Sequence, residues 1–302
     1  VQTACSTSLV AVHMGCNSII VSDCDIAIAG GISLGPLDSH GYLYEEGMIY
    51  SKDGLVRPFD KHACGVVGGQ GCAVVVLKSL KKAIRDRNTI FAVIKGTAIN
   101  NDGGTGKVGF TAPSEESISN VIKHAHRKAN IEPQTVSYIE THGTATALGD
   151  QIEFAALQKV FSKAQQTQFC ALSSVKSYIG HLDTASGATG LITAALALKH
   201  RTIPAVANFS EPKFKMDTTP FFICHQSRSW EHSTELPRRA GVNSMGIGGT
   251  NAHVVLEEHR PQASTLPCRN WQLLSLSAKT PEALDDATSN MMSYLRKHPE
   301  NL

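Results

Sequence analysis

The chain has 302 residues, 42% of them hydrophobic and 18% charged, with a formal net charge of +2. That length supplies ample core for one large domain or two, and the composition is that of an ordinary globular protein. So small a charge gives no hold on nucleic acid or an anionic membrane, and no window reaches the roughly 18 uninterrupted apolar residues of a transmembrane helix.

From the first residue onward, "STSLVAVHMGCNSIIV" has too many apolar positions for a surface helix and predicts one buried on most sides. "CDIAIAGGIS" predicts a short buried strand closed by a glycine pair. "GCAVVVLKSL" lacks polar alternation, which predicts a strand covered on both faces, and "TIFAVIKGTAIN" predicts another. "SEESISNVIKHAHRKANI" is amphipathic, with Ser114 as its cap and Glu115 and Glu116 in the first turn. "TVSYIETHG" predicts a strand ending in a turn. "GDQIEFAALQKVF" predicts a helix opened by a capping box, Asp150 to Glu153. "FCALSSVKS" predicts a strand and "ASGATGLITAALALKH" a buried helix rich in small residues. "RRAGVNS" and "NAHVVLEE" predict strands around the turn "MGIGG". Buried strands alternating with buried helices indicate an α/β architecture with helices on both sides of a sheet.

The last part differs. "HRPQASTLPCRN" is polar, carries prolines and reads as a linker. "WQLLSLSAK" then predicts a strand, and "TPEALDDATSNMMSYLRKH" a helix with Thr280 as cap and Pro281 at its first position.

No secretory signal is visible, because no basic region precedes the first apolar stretch, so the cytoplasm is the expected compartment. The eight cysteines contain no C-x-x-C pair, which argues against a zinc ribbon or a thioredoxin-like site. In a cytoplasmic chain they are expected to be reduced, most of them small buried hydrophobes.

Four stretches carry candidate chemistry. In "TACSTSL", Cys5 lies just ahead of a helix, where the dipole lowers a thiol pKa and favours thiolate. In "IETHGTATALGD", His142 falls at a strand end, beside the hydroxyls of Thr144 and Thr146, which can bond an amide-bearing ligand. In "SSVKSYIGHLDTASG", Lys176 precedes His181 by five residues; a buried lysine there keeps the ring neutral. In "SMGIGGTNAHV", three glycines bring backbone N–H groups near a ligand as an oxyanion hole, or make a tight hairpin turn. Metal binding by Cys5, His142 and His181 is possible on residue type. The hydroxyl- and glycine-rich surroundings, and the lack of a fourth ligand, argue against it.

These four motifs, with "RPFDKHACGVVGGQGCAVVVLK" and "GFTAPS", resemble in order and spacing the β-ketoacyl synthase (ketosynthase) domain of modular type I polyketide synthases. The resemblance covers residues 1–260, and "LLSLSAKTPEAL" resembles the start of the linker from ketosynthase to acyltransferase, residues 261–302. It implies the thiolase-like fold, layered α-β-α-β-α. It implies Cys5 as acylated nucleophile, and His142 and His181, supported by Lys176, as the pair that promotes decarboxylation and stabilises the enolate. The oxyanion hole would use the N–H groups of Cys5 and Ile247. Thr144 and Thr146 would hold the phosphopantetheine arm, and Gly246, Gly248 and Gly249 would form the flexible loop beside the nucleophile.

The implied reaction is decarboxylative Claisen condensation of a Cys-bound acyl chain with a malonyl-type extender, giving a 3-oxoacyl thioester. The domain binds no cofactor of its own, since phosphopantetheine arrives on the carrier protein. The implied partners are acyl carrier protein domains, an adjacent acyltransferase domain and a second copy of the chain, with neither nucleic acid nor membrane. The family also has a stretch ahead of its nucleophile that these residues lack, so the sequence reads as a part of a ketosynthase, inactive alone, that exposes a large apolar sheet face.

Two positions depart from the family pattern. Ala145 stands for a glycine between the threonines, and Tyr178 stands for an asparagine, where a bulkier ring would reshape the pocket near His181. The alternatives are a fatty-acid 3-oxoacyl-carrier-protein synthase and a non-condensing module that binds carrier protein and only transfers acyl chains.

Overall fold

The computed structural model describes residues 1–35, 41–103, 112–231, 236–260 and 273–299. The chain divides into two compact units, Val1–Arg260 and Pro261–Leu302.

In the first unit, a 3₁₀ turn at Ala4–Ser6 feeds helix α1 (Thr7–Ile20) and then strand β1 (Ile26–Ser33). Strand β2 (Gly71–Lys78), the short helix α2 (Leu80–Arg85) and strand β3 (Val93–Asn101) follow. Next come α3 (Glu115–Ala129), β4 (Tyr138–Glu140), α4 (Gly149–Val160), β5 (Cys170–Ser173), α5 (Lys176–Ile179) and α6 (Ser186–His200). Strands β6 (Thr202–Ile203), β7 (Phe221–Ile223), β8 (Arg228–Ser229), β9 (Arg239–Met245) and β10 (Thr250–Glu257) complete it.

The central sheet runs β3-β10-β9-β4-β5-β7. Its β3, β10 and β9 pair antiparallel, while β9, β4, β5 and β7 run parallel. Strand side chains alternate between two cores, as a period of two requires. Ile139, Leu172 and Val255 join Ile118, Ile122, Phe154 and Leu157 of α3 and α4 on one side. Tyr138, Ala171, Val254 and Leu256 join Leu9, Val12, Leu191 and Leu198 of α1 and α6 on the other. Beyond α1 lies the antiparallel pair β1–β2. The described layers are therefore α-β-α-β, four of the five in the expected fold.

Local chemistry sets the helix ends. Ser114 Oγ accepts from Ser117 N at 3.3 Å, and α3 stops where Asn130 turns left-handed at φ 52°. A Cβ on Gly187 would lie 2.6 Å from Leu9 Cβ, so α1 and α6 approach closely only because this residue is glycine.

Two expectations fail here. β1 was expected to be buried and β2 to be covered on both faces, yet Ile28 is 75% and Val76 69% exposed, which matches instead the exposed apolar sheet face also expected. An apolar run reports that a strand suits a covered site; it does not supply the cover. In the second unit, "WQLLSLSAK" was expected to be a strand. Trp271 and Gln272 lie outside the described residues, and 273–279 form no strand, with Leu273 92% exposed. The helix α7 (Pro281–Lys297) forms as expected, and Thr280 Oγ1 accepts from Ala283 N at 3.2 Å. Most of the expected linker, with Cys268, and the first half of "GFTAPS" lie outside the described residues. No helix among the described residues is long and apolar enough to cross a membrane.

Candidate active site

Cys5 lies in the Ala4–Ser6 turn at the head of α1, and Ala4 takes a left-handed φ of 51° to make the elbow. Ser244 Oγ donates to Cys5 O at 2.8 Å and fixes the elbow to the end of β9. The next residues, Gly246–Gly249, form the β9–β10 turn, so the hairpin and the N–H donor loop are one structure. Gly249 N donates to Gly246 O at 2.9 Å, and Gly248 and Gly249 have φ of 95° and 96°. The Ile247 N–H donates toward the Cys5 sulfur.

The two histidines come from the ends of neighbouring parallel strands. His142 follows β4, His181 follows β5 and α5, and their ring centroids are 5.7 Å apart at 83°. His142 Nδ1 accepts from Met245 N at 3.4 Å, and His181 Nδ1 accepts from Asp183 N at 3.2 Å. A backbone N–H can only donate, so each Nδ1 carries a lone pair and each neutral ring carries its proton on Nε2. Ser186 Oγ lies 2.8 Å from His181 Nδ1 and completes that ring's anchoring. Loop backbone braces His181 as well: His181 N donates to Val67 O at 2.7 Å and Gly69 N to His181 O at 2.9 Å.

Lys176 was expected on a strand, but β5 ends at Ser173 and Lys176 opens α5, 4% exposed. Burial lowers its pKa, while the carboxylates of Glu140 and Glu153 hold it up. Burial and the nearby Lys176 push His142 well below the usual histidine range and His181 down to about 3, and His181 lowers His142 further. Both rings are neutral donors.

Cys5 departs from expectation. The helix dipole was expected to favour thiolate, but the thiol pKa is pushed up to about 11, first by burial and then by the Asp183 carboxylate. Cys5 Sγ donates to Asp183 Oδ1 at 3.4 Å. The Ile247 N–H and Lys176 pull the other way without prevailing.

The capping box is also overturned. Asp150 and Glu153 are both fully buried in the first turns of α4, and neither caps it. Asp150 accepts from Phe59 N at 2.7 Å and Ala145 N at 3.0 Å. Glu153 accepts from His142 N at 2.8 Å, Gly143 N at 2.9 Å and Asn243 Nδ2 at 2.8 Å. Helix α4 thus holds the His142 loop by its backbone. Glu140 plays the same part beside it, accepting from Val175 N at 2.7 Å ahead of Lys176. Asp150 and Glu153 escaped the sequence reading because D-x-x-E at a helix start has a local explanation, whereas their actual partners are backbone N–H groups of the preceding loop and the distant Phe59 and Asn243.

Thr144 and Thr146 share a hydrogen bond of 3.1 Å, and Thr146 Oγ1 also accepts from Gly149 N at 3.2 Å. Ala145 between them has φ of 56°, the region where the family's glycine is at ease. Tyr178 is 58% exposed. No cluster of metal-ligating side chains occurs among the described residues.

Three family profiles match the chain. Residues 1–83 match the family profile "Beta-ketoacyl synthase, N-terminal domain", residues 91–210 "Beta-ketoacyl synthase, C-terminal domain", and residues 211–302 "Ketoacyl-synthetase C-terminal extension". The chain is 44% identical to a phenolphthiocerol/phthiocerol polyketide synthase of Mycobacterium tuberculosis, over 98% of this chain and 20% of that protein. It is 39% identical to polyketide synthase PksN of Bacillus subtilis, over 98% of this chain and 5% of that protein. Among solved structures it resembles ketosynthase twelve of the bacillaene synthase of Bacillus amyloliquefaciens, with TM-score 0.83 and 41% identity, over 86% of this chain and 46% of that one. It also resembles the module 6 ketosynthase of the Bacillus subtilis bacillaene synthase, with TM-score 0.83 and 38% identity, over 98% and 51%. The chain therefore spans about half the length of the solved structures and a fifth or less of these curated relatives.

Proposed function

The chain belongs to the β-ketoacyl synthase family, as a ketosynthase of the polyketide synthase type with a thiolase-like fold, and from that premise we propose that it serves decarboxylative Claisen condensation. An acyl chain passes from a phosphopantetheine thioester on a carrier protein to Cys5. Its oxyanion meets the N–H groups of Ile247 and Cys5. A malonyl-type thioester then enters and loses its carboxylate. The negative charge that develops on its thioester oxygen is met by two Nε2–H donors, His142 and His181. The carbanion attacks the acyl group on Cys5, giving a 3-oxoacyl thioester.

The observation that carries this reading is the backbone N–H set against Nδ1 of each ring. Each Nδ1 is occupied by a backbone N–H, which leaves a donor on Nε2 of each. Lys176 opposes imidazolium in both. Two fixed neutral donors suit an enolate, which needs hydrogen bonds without being quenched by a proton. Thr144 and Thr146 would contact the phosphopantetheine arm, and Gly246, Gly248 and Gly249 would let the Ile247 loop adjust as the acyl chain enters. Residues 1–260 act as the ketosynthase part, and 261–302 lead toward an acyltransferase domain in a homodimeric, cytoplasmic assembly. No observation favours the non-condensing alternative, since both histidines and the lysine stand in place.

The test is acylation of the polypeptide as its gene encodes it, with an acyl-pantetheine thioester, read by intact mass. Wild type gains one acyl group and Cys5→Ala gains none. An acyl group on Cys5→Ala would remove the nucleophile from this reading.

A further inference from the structure

Asp183 belongs to none of the groups given a role above. It opens the 3₁₀ turn Asp183–Ala185 with a left-handed φ of 41°, a conformation a side chain other than Asn or Asp rarely takes. The neighbouring Thr184 Oγ1 donates to Ile32 O of β1, so the turn is anchored. In that conformation the Asp183 N–H reaches His181 Nδ1 at 3.2 Å, while the carboxylate oxygen Oδ1 lies 3.4 Å from Cys5 Sγ. One residue thereby joins the nucleophile to the second histidine.

The reaction needs a proton acceptor at that sulfur. Cys5 starts as a thiol, and forming the sulfur–carbon bond must release its proton. Neither histidine offers a lone pair there. Each Nδ1 lone pair is taken by a backbone N–H, and each Nε2 carries the ring proton. Lys176 is a cation and offers none. The group that already accepts the thiol's hydrogen bond is Asp183.

We propose that Asp183 is a further catalytic residue, the proton acceptor and donor of the acyl-transfer half-reaction, an inference that rests on the reading of Cys5 as nucleophile. As Cys5 Sγ attacks the thioester carbonyl carbon, its proton passes to Asp183 Oδ1. The electron pair of the carbonyl moves to the oxygen, held by the Ile247 and Cys5 N–H groups. When that pair re-forms the carbonyl, the bond from carbon to the pantetheine sulfur breaks. The departing thiolate takes the proton back from Asp183, and the carboxylate is regenerated. No redox partner enters.

The histidines and Lys176 are left to the decarboxylation step. The titratable groups that act on the thiol are Asp183 from its own turn and Lys176 from α5. Among the described residues, only Asp183 has a hydrogen bond to the sulfur through a side chain.

The role has a signature that damage to the fold does not share. In Asp183→Asn an oxygen that can accept a hydrogen bond remains, but the thiol loses its negative neighbour and the base that takes its proton, so thiolate forms at lower pH. Iodoacetamide, which needs only thiolate, should alkylate Cys5 several-fold faster between pH 7 and 8, with the inflection of the rate profile moved to lower pH. Single-turnover acylation by an acyl-pantetheine thioester, which needs the proton moved, should slow by roughly 100-fold, as loss of a positioned acid–base group does. Asp183→Glu should recover part of the acylation rate. Both measurements use the polypeptide as its gene encodes it, with Cys5→Ala run alongside. An acylation rate equal to wild type in Asp183→Asn overturns the proposal. So do two rates that rise together or fall together. Acylation that persists in Cys5→Ala refutes the nucleophile itself, a failure distinct from one confined to Asp183.

Discussion

Glu153 gives the sharpest single-residue prediction. Its carboxylate takes three hydrogen bonds inside the fold, from His142 N, Gly143 N and Asn243 Nδ2. Burial pushes its pKa up, and those three donors pull it back. In Glu153→Gln the shape is kept but one oxygen becomes an amide. The better placement keeps the oxygen toward His142 N and Asn243 Nδ2 and turns the amide toward the Gly143 N–H. Two donors then oppose each other in a buried site, and one charge-assisted hydrogen bond is lost. That costs about 2–3 kcal/mol, since leaving a buried donor unpaired forfeits its full desolvation. The displaced His142 ring should slow decarboxylation by roughly 10- to 100-fold, the usual scale for a misplacement near 1 Å. Urea unfolding should show a lower midpoint at unchanged slope. Carbon dioxide release should fall while Cys5 acylation stays within a few-fold of wild type. A variant that unfolds at the wild-type midpoint and decarboxylates at the wild-type rate would refute the claim that α4 positions His142.

A Cβ on Gly246 would sit 2.1 Å from Thr3 O and 2.9 Å from Ser6 Oγ. Gly246→Ala should therefore cost about 1–3 kcal/mol by overpacking and slow acylation by moving the elbow under Cys5, measured by thermal unfolding and intact mass. His126 is buried and its pKa is lowered to about 4 by burial. A histidine depressed in the fold binds fewer protons there than in the unfolded chain, so its contribution is present above about pH 6.5 and is lost as pH falls toward 4. The span corresponds to about 3 kcal/mol. His126→Leu should flatten the stability profile by about one proton over that window, and a profile parallel to wild type would contradict the assignment. Tyr178→Asn should change stability by less than about 0.5 kcal/mol and leave decarboxylation unchanged, because the ring is exposed.

The chemistry was more legible in the sequence than its support. Cys5, His142, Lys176, His181 and Ile247 stand in four separated motifs, and the parallel strands β4 and β5 with the β9–β10 turn bring them together. A strand end that carries a histidine can be read locally, because side chains there leave the sheet edge free. The partners of Glu153 and Asp150 cannot, because those contacts depend on how the 142–145 loop folds back onto α4 and on the distant Phe59 and Asn243. The D-x-x-E spacing even suggests a wrong local use for them. The protonation of Cys5 was misread for the same reason. A helix dipole is visible in sequence, but a carboxylate 3.4 Å away depends on the left-handed turn at Asp183. Strands β1 and β2 show the converse limit: their apolar pattern is real, while what covers them is not written in their own residues.

The central claim is a division of labour between Cys5 and the histidine pair. It is tested most directly by carbon dioxide release from a malonyl-carrier-protein thioester in His142→Ala, with Cys5 acylation followed in the same sample. The account predicts that acylation persists and carbon dioxide release is lost. Release that continues at the wild-type rate would contradict it.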